Sequence, residues 1–244
     1  MDIEVKQFDS ISKKYSSFVG IDPIRNYLHY PAVIKELANA KEKNILDVGC
    51  GDGFLPKILT TNLKAKVVGY DKSPELIQKA KNEELVDSLG IEYVVADQES
   101  FTSTIKFDDA VSVMVLPYST NVEALDKFLS STYLNLKDSG RFIAVTTNPL
   151  FTKFGTTIGN RIFNKKDKKI EVNFLNPENG ALQFTALLTQ FTKEEYEKAA
   201  TTAGFKNVVW KNLYATPEGK EILGDDFWKS CEEEQPYTVF IASK

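Results

Sequence analysis

Residues 44–54, NILDVGCGDGF, constrain the fold more than any other stretch. Ile45, Leu46 and Val48 lead into glycines at 49, 51 and 53. A short apolar run ending in alternating glycines reads as a buried parallel strand that turns sharply into a helix. Glycine fits where the backbone takes positive φ or a ligand must come close. The apolar side chains anchor the strand, so the loop sits at its carboxyl end, where open α/β sheets bind ligands.

The loop departs from two familiar phosphate binders. A dinucleotide fingerprint is G-x-G-x-x-G, but after Gly49 and Gly51 the third position is Phe54. The lysine of a G-x-x-x-x-G-K-[ST] loop is missing. Asp47 and Asp52 make the loop acidic, which suits a cationic ligand better than a pyrophosphate. Asp71 follows Gly51 by 20 residues, at the end of the apolar stretch KVVGYD. An acid there accepts hydrogen bonds from a ribose diol. Together these point to a nucleoside carrying positive charge.

LDVGCGDG resembles motif I of the class I S-adenosylmethionine-dependent methyltransferases. Four further segments fall in that family's order: residues 67–71 (VVGYD), 95–98 (VADQ), 107–111 (FDDAV) and 138–143 (DSGRFI). The resemblance covers roughly residues 10–150. Within the family the chain is most similar to small-molecule enzymes of the toxoflavin-biosynthesis type, through residues 142–149 (FIAVTTNP), the Tyr118 segment and the C-terminal Pro-Glu-Gly…Phe-Trp stretch. The resemblance implies a cofactor, S-adenosyl-L-methionine, and a product, S-adenosyl-L-homocysteine. It also implies cofactor contacts at Tyr15, Arg25, Asp47, Gly49, Gly51, Asp71, Lys72, Asp97 and Gln98. In the family the strand-4 end lies under the sulfonium, which adds the backbone of Val113 and Met114. Tyr118 would point toward the methyl group.

Composition narrows the alternatives. The 244 residues are 42% apolar, enough for one α/β domain with insertions. Only three of the 30 basic residues are Arg, and the net charge is −4, which disfavours a dedicated nucleic-acid binder. One His and two Cys are too few for the usual four-ligand zinc site, and no metal is expected. With a single His and no G-x-S-x-G, a Ser-His-Asp hydrolase is disfavoured. No run approaches a membrane span, and MDIEVKQFDS lacks a basic-then-apolar leader, so the expected setting is cytoplasmic and reducing.

The periodicities predict a doubly wound, Rossmann-like seven-stranded sheet, mostly parallel with the last strand antiparallel, in one domain over 1–244. Phe8, Ile11 and Tyr15 share one helical face, and residues 1–40 read as an N-terminal helical cap. Asp22-Pro23 opens a helix, and Pro31 kinks or restarts it. His29, the only imidazole, is a candidate general base, with a half-exposed structural role as the alternative. Strands are expected over 44–49, 66–71, 91–96, 107–115, 141–147, 207–214 and 237–242. Residues 138–140 read as a turn, and Asp108 and Asp109 as solvated or helix-capping. From 148 to 190 the α/β rhythm stops. A helical piece plus an antiparallel hairpin turning at Asn179-Gly180 is expected there, as an inserted substrate cap. Residues 216–235 read as a long polar connection.

The expected activity is methyl transfer to an N or O atom of a small-molecule acceptor, with His29 and Tyr118 as candidate acid–base groups. The alternatives are a non-catalytic protein that binds the same nucleosides, or a methyltransferase acting on RNA or protein. Oligomeric state is not legible.

Overall fold

The computed structural model describes residue 18 and residues 21–244; the helix expected over Phe8, Ile11 and Tyr15 lies outside them. Five strands follow one another in the first part of the chain: β1 (Asn44–Val48), β2 (Lys66–Asp71), β3 (Glu92–Val95), β4 (Phe107–Val113) and β5 (Leu136–Thr147). With β10 (Asn207–Asn212) and β11 (Tyr237–Ser243) they form a seven-stranded sheet ordered β10-β11-β5-β4-β1-β2-β3. β11 pairs antiparallel with both β5 and β10, and the other pairings are parallel. This is the expected Rossmann-like sheet. The chain winds from β1 outward to β3, then returns to β4 on the other side of β1. That reversal opens a crevice at the carboxyl ends of β1 and β4.

Apolar cores cover both sheet faces. Along β1, Ile45 packs into one core and Leu46 and Val48 into the other, the alternation of a strand buried on both sides. The helices begin where the chain supplies capping side chains. Ser73 accepts from Leu76 N at the start of α3 (Pro74–Asp87), and Asn121 from Ala124 N at the start of α4 (Val122–Asn135). Thr192 and Glu195 cap α5 (Lys193–Ala203) reciprocally. Two helices lie earlier in the chain, α1 (Tyr30–Glu36) and α2 (Phe54–Leu63).

Several local expectations are corrected. β4 ends at Val113 rather than Val115, because Met114 takes φ 59°. Residues 138–140 do not separate two elements but belong to β5, whose pairing with β4 shifts between Phe107 and Asp109. Gly140 permits the tight local path: a Cβ there would sit 3.0 Å from Lys137 O and 3.1 Å from Asp108 O. Asp109 is not solvated. It is buried opposite Arg141 in the strand register and accepts from Arg141 Nε at 2.8 Å. Asp108 accepts from Asn44 N at 2.9 Å and pairs with Lys137 at 2.8 Å.

The insert holds no helix. It is a four-stranded antiparallel sheet, β6 (Thr157–Ile158), β7 (Arg161–Lys166), β8 (Lys169–Leu175) and β9 (Leu182–Thr189). Phe154, Ile158 and Ile162 have helical spacing, but Gly155 and Gly159 take positive φ and Gly159-Asn160 makes a two-residue turn between β6 and β7. Residues 216–235 are not a polar connection either. They form α6 (Pro217–Leu223) and α7 (Asp225–Glu234), with Trp228 fully buried. Thr216 caps α6 and Pro217 starts it, a signal the polar composition obscured.

Candidate active site

A cleft of about 730 Å³, its open mouth included, lies at the carboxyl ends of β1, β2 and β4. Its floor is the glycine loop. Gly49 N and Cys50 N both donate to Tyr70 O, at 2.8 and 2.9 Å, which ties the loop to the end of β2. Gly49 has φ 74°, and a Cβ there would meet Val115 Cγ2 at 2.5 Å. Gly51 differs: with φ 58°, its missing Cβ faces open space. A ligand can therefore approach that backbone closely.

Three acids line the floor, in different states. Asp52 is paired with Lys79 at 2.7 Å. Asp71 accepts from Gly51 N at 3.0 Å through one oxygen and from Ser73 N at 2.9 Å through the other. Carboxylate oxygens have further lone pairs, so it retains capacity for a ligand. Asp47 is 2% exposed, and its Oδ2 has no hydrogen-bond partner. Burial, with Asp71 nearby adding to it, pushes the Asp47 carboxyl up to about 8. A buried carboxylate without a partner is costly. A cation in the cleft would relieve that cost.

The walls carry much of the rest of the expected set. Arg25, Lys72, Gln98, Val113, Met114 and Tyr118 line the cleft with Asp47, Gly49, Gly51 and Asp71. Met114 N donates to Val145 O at 2.8 Å, which holds the bend after β4. Tyr15, Asp97 and His29 stand apart from the others. Tyr15 lies outside the described residues. Asp97 is not among the lining residues; its Oδ1 accepts from Glu99 N at 2.7 Å and caps the following turn.

His29 is not brought to the cleft. It is 2% exposed, rather than half-exposed, and packs edge-on against Tyr237 at 4.4 Å. Neither ring nitrogen has a hydrogen-bond partner. Burial holds the imidazole well below its usual range, and Arg25 and Arg161 add to the effect. The unfolded imidazole takes up a proton near pH 6.5 that the folded one refuses, so stability is lost as pH falls below that value. We expect a loss of up to about 1.4 kcal/mol per pH unit from this residue. Melting curves at pH 7.5 and 5.5 for wild type and His29→Gln check it; equal acid sensitivity of the two would overturn it.

The cleft also contains residues the sequence reading did not single out. Tyr30 lines it and stacks on Phe54 with ring centroids 5.5 Å apart. Leu55, Leu76 and Val115 supply apolar wall. Strand and helix starts pointed to the neighbourhood of these residues, but only packing turns them inward.

The model of a methyltransferase-domain family matches residues 39–209, and the chain belongs to that family. The ubiquinone biosynthesis O-methyltransferase of Pelagibacter ubique is 29% identical over 158 residues, covering 59% of this chain and 64% of that one. The chain thus spans somewhat under two thirds of the length of that curated relative. Among solved structures, an S-adenosylmethionine-dependent methyltransferase from Clostridium acetobutylicum superposes with TM-score 0.65 at 17% identity, over 88% of this chain and 89% of that one. The S-adenosylmethionine-bound amino pentose methyltransferase CalS10 from Micromonospora echinaspora gives 0.63 at 17%, with the same coverage. At such identities the structures establish a shared fold. Among the described residues, no helix is long and apolar enough to cross a membrane.

Proposed function

We propose that this methyltransferase uses S-adenosyl-L-methionine and transfers its methyl group to an N or O atom of a small-molecule acceptor. The observation that carries the reading is the pairing of Asp47, a buried acid whose Oδ2 has no hydrogen-bond partner, with the open backbone at Gly51 in one cleft. A nucleoside with an ammonium, a carboxylate and a ribose diol has a partner here for each. Asp47 receives the ammonium, Arg25 the carboxylate and Asp71 the diol, while Gly51 lets the ligand lie close. Lys72 and Gln98 flank the nucleoside, and the backbone of Val113 and Met114 meets its sulfur end.

When bound, S-adenosylmethionine supplies an electrophilic methyl group on a sulfonium. The chain's part is to hold acceptor and nucleoside in line, which removes translational freedom worth up to roughly 7–11 kcal/mol in ideal cases. Tyr118, on the cleft wall, is the side chain we assign to proton handling at the acceptor. The inserted sheet serves as the acceptor cap. Its edge strand β9 packs beside the Leu116–Tyr118 turn at the cleft, which supports that role. Names of similar proteins favour small acceptors: one belongs to ubiquinone biosynthesis and another methylates an amino pentose.

Calorimetric titration with S-adenosylmethionine and S-adenosylhomocysteine tests the reading. Micromolar binding is expected, and Asp71→Ala should weaken it by about 1–3 kcal/mol, the cost of leaving buried polar partners unpaired. No binding of either nucleoside by wild type would sink it. Tight binding with no turnover on any acceptor would favour a nucleoside-binding protein without catalysis.

A further inference from the structure

The N-terminal helix is irregular where it meets the cleft. Residues Arg25–His29 form a π-helical turn, closed by Tyr30 N–H bonding to Arg25 O. Such wide turns are rare and concentrate at functional sites.

Pro31 explains the irregularity. In an α register the amide of residue 31 would bond to Tyr27 O, but proline has no N–H and its ring clashes with that carbonyl. A wider turn relieves the clash. Tyr27 O accepts instead from Thr216 N, at 2.9 Å, across 189 residues of chain. Helix α6, which Thr216 caps, then packs onto the turn. A Cβ on Gly219 would lie 2.5 Å from Tyr27 Cβ, so the contact requires glycine. Trp228, fully buried, fixes the arrangement: its Nε1 donates to Gly219 O at 2.8 Å, and its ring meets Tyr27 edge-on at 6.5 Å.

The turn has a geometric consequence for the cleft. At about 100° per residue, positions five apart on an α-helix point roughly 140° apart. An i→i+5 bond instead stacks residue 30 over residue 25. Both Arg25 and Tyr30 line the cleft.

We propose that Pro31 and Gly219 are positioning residues that hold the helix in its π register, so that Arg25 and Tyr30 face the cleft together. Neither residue touches the ligand; each acts through the turn. The inference rests on the reading above, in which Arg25 receives the nucleoside's carboxylate.

The test is a set of titrations with S-adenosylhomocysteine on wild type, Pro31→Ala, Gly219→Ala, Arg25→Ala and the double variant Pro31→Ala/Arg25→Ala, each with a melting curve. Pro31→Ala restores an amide that competes for Tyr27 O, and Gly219→Ala pushes α6 off the turn. Each should weaken binding about tenfold, the worth of one hydrogen bond to a charged group. In the Arg25→Ala background Pro31→Ala should cost clearly less than in wild type, which a merely structural role would not produce. Unchanged binding in both single variants, or full additivity in the double variant, would overturn the inference while leaving the cofactor reading intact. Absence of binding by wild type would sink that reading and this inference with it. If Pro31→Ala fails to fold, Gly219→Ala alone and with Arg25→Ala decides the question in the same way.

Discussion

Arg161→Ala is expected to destabilise the protein by up to about 3–5 kcal/mol, the cost of breaking a buried ion pair from one side. Arg161 and Asp22 are each 1% exposed, and Arg161 Nη2 donates to Asp22 Oδ2. Arg161 Nη1 also donates to Asn160 O at 3.1 Å, and the guanidinium lies 4.1 Å from the centre of the Phe174 ring. Removing the arginine leaves the buried Asp22 carboxylate with Arg25, whose Nε lies 3.9 Å away, as its remaining charge partner. For a domain of this size the loss corresponds to roughly 10 °C in Tm. The double replacement Asp22→Leu/Arg161→Met should recover most of it, because apolar residues of similar volume remove the desolvation cost along with the pairing. Thermal melts of both single variants and the double variant check this. A loss below about 1 kcal/mol in Arg161→Ala would show that water reaches the pair.

Binding of S-adenosylhomocysteine should strengthen about tenfold from pH 6 to pH 7, through release of one proton from Asp47. The sign follows from the site. In the free protein Asp47 has its carboxyl raised to about 8, by burial first and Asp71 second, so it is protonated across this range. An ammonium brought beside it favours the ionised form and lowers that value. Binding therefore expels a proton, and affinity rises with pH until the free carboxyl ionises by itself near 8. Below pH 7.5 a ligand α-ammonium keeps most of its charge, so its own titration does not mask the trend. Asp47→Asn should bind more weakly at pH 7.5 and lose the slope. Titrations in two buffers of different ionisation enthalpy count the proton directly. A flat profile in wild type, or an unchanged slope in the variant, would contradict the role of Asp47.

Asp47 and Arg161 differ in how far the sequence reveals them. Asp47 could be singled out from its neighbours alone: an acid at the end of an apolar strand, followed by Gly49 and Gly51, lies at the ligand-binding edge of a parallel sheet. Asp71 was legible in the same way, 20 residues after Gly51 at the end of the next strand. Their electrostatic states were not, since both depend on how deeply the floor is buried. Arg161 looked like one of three scattered arginines. Its partner is 139 residues away, so no local pattern could pair them.

What the sequence by itself determined is short-range. The strand–glycine loop–helix unit, the caps at Ser73, Asn121 and Thr192, and the alternation of apolar residues along β1 follow from steric and hydrogen-bonding preferences within a few residues. These are enough to define the winding of the sheet and the edge at which a ligand binds. Only the tertiary structure decided which side chains enter the cleft. The π turn at Arg25–His29 needs Pro31, which is local, but also the Thr216 amide and the bare face of Gly219, which arrive from the far end of the chain. His29 is buried away from the cleft, against Tyr237 of β11. The insert became a sheet because Gly155 and Gly159 break a helical spacing that periodicity alone would have favoured. At the π turn a long-range contact, whose strength depends on burial and exact position, completed a local preference worth less than it.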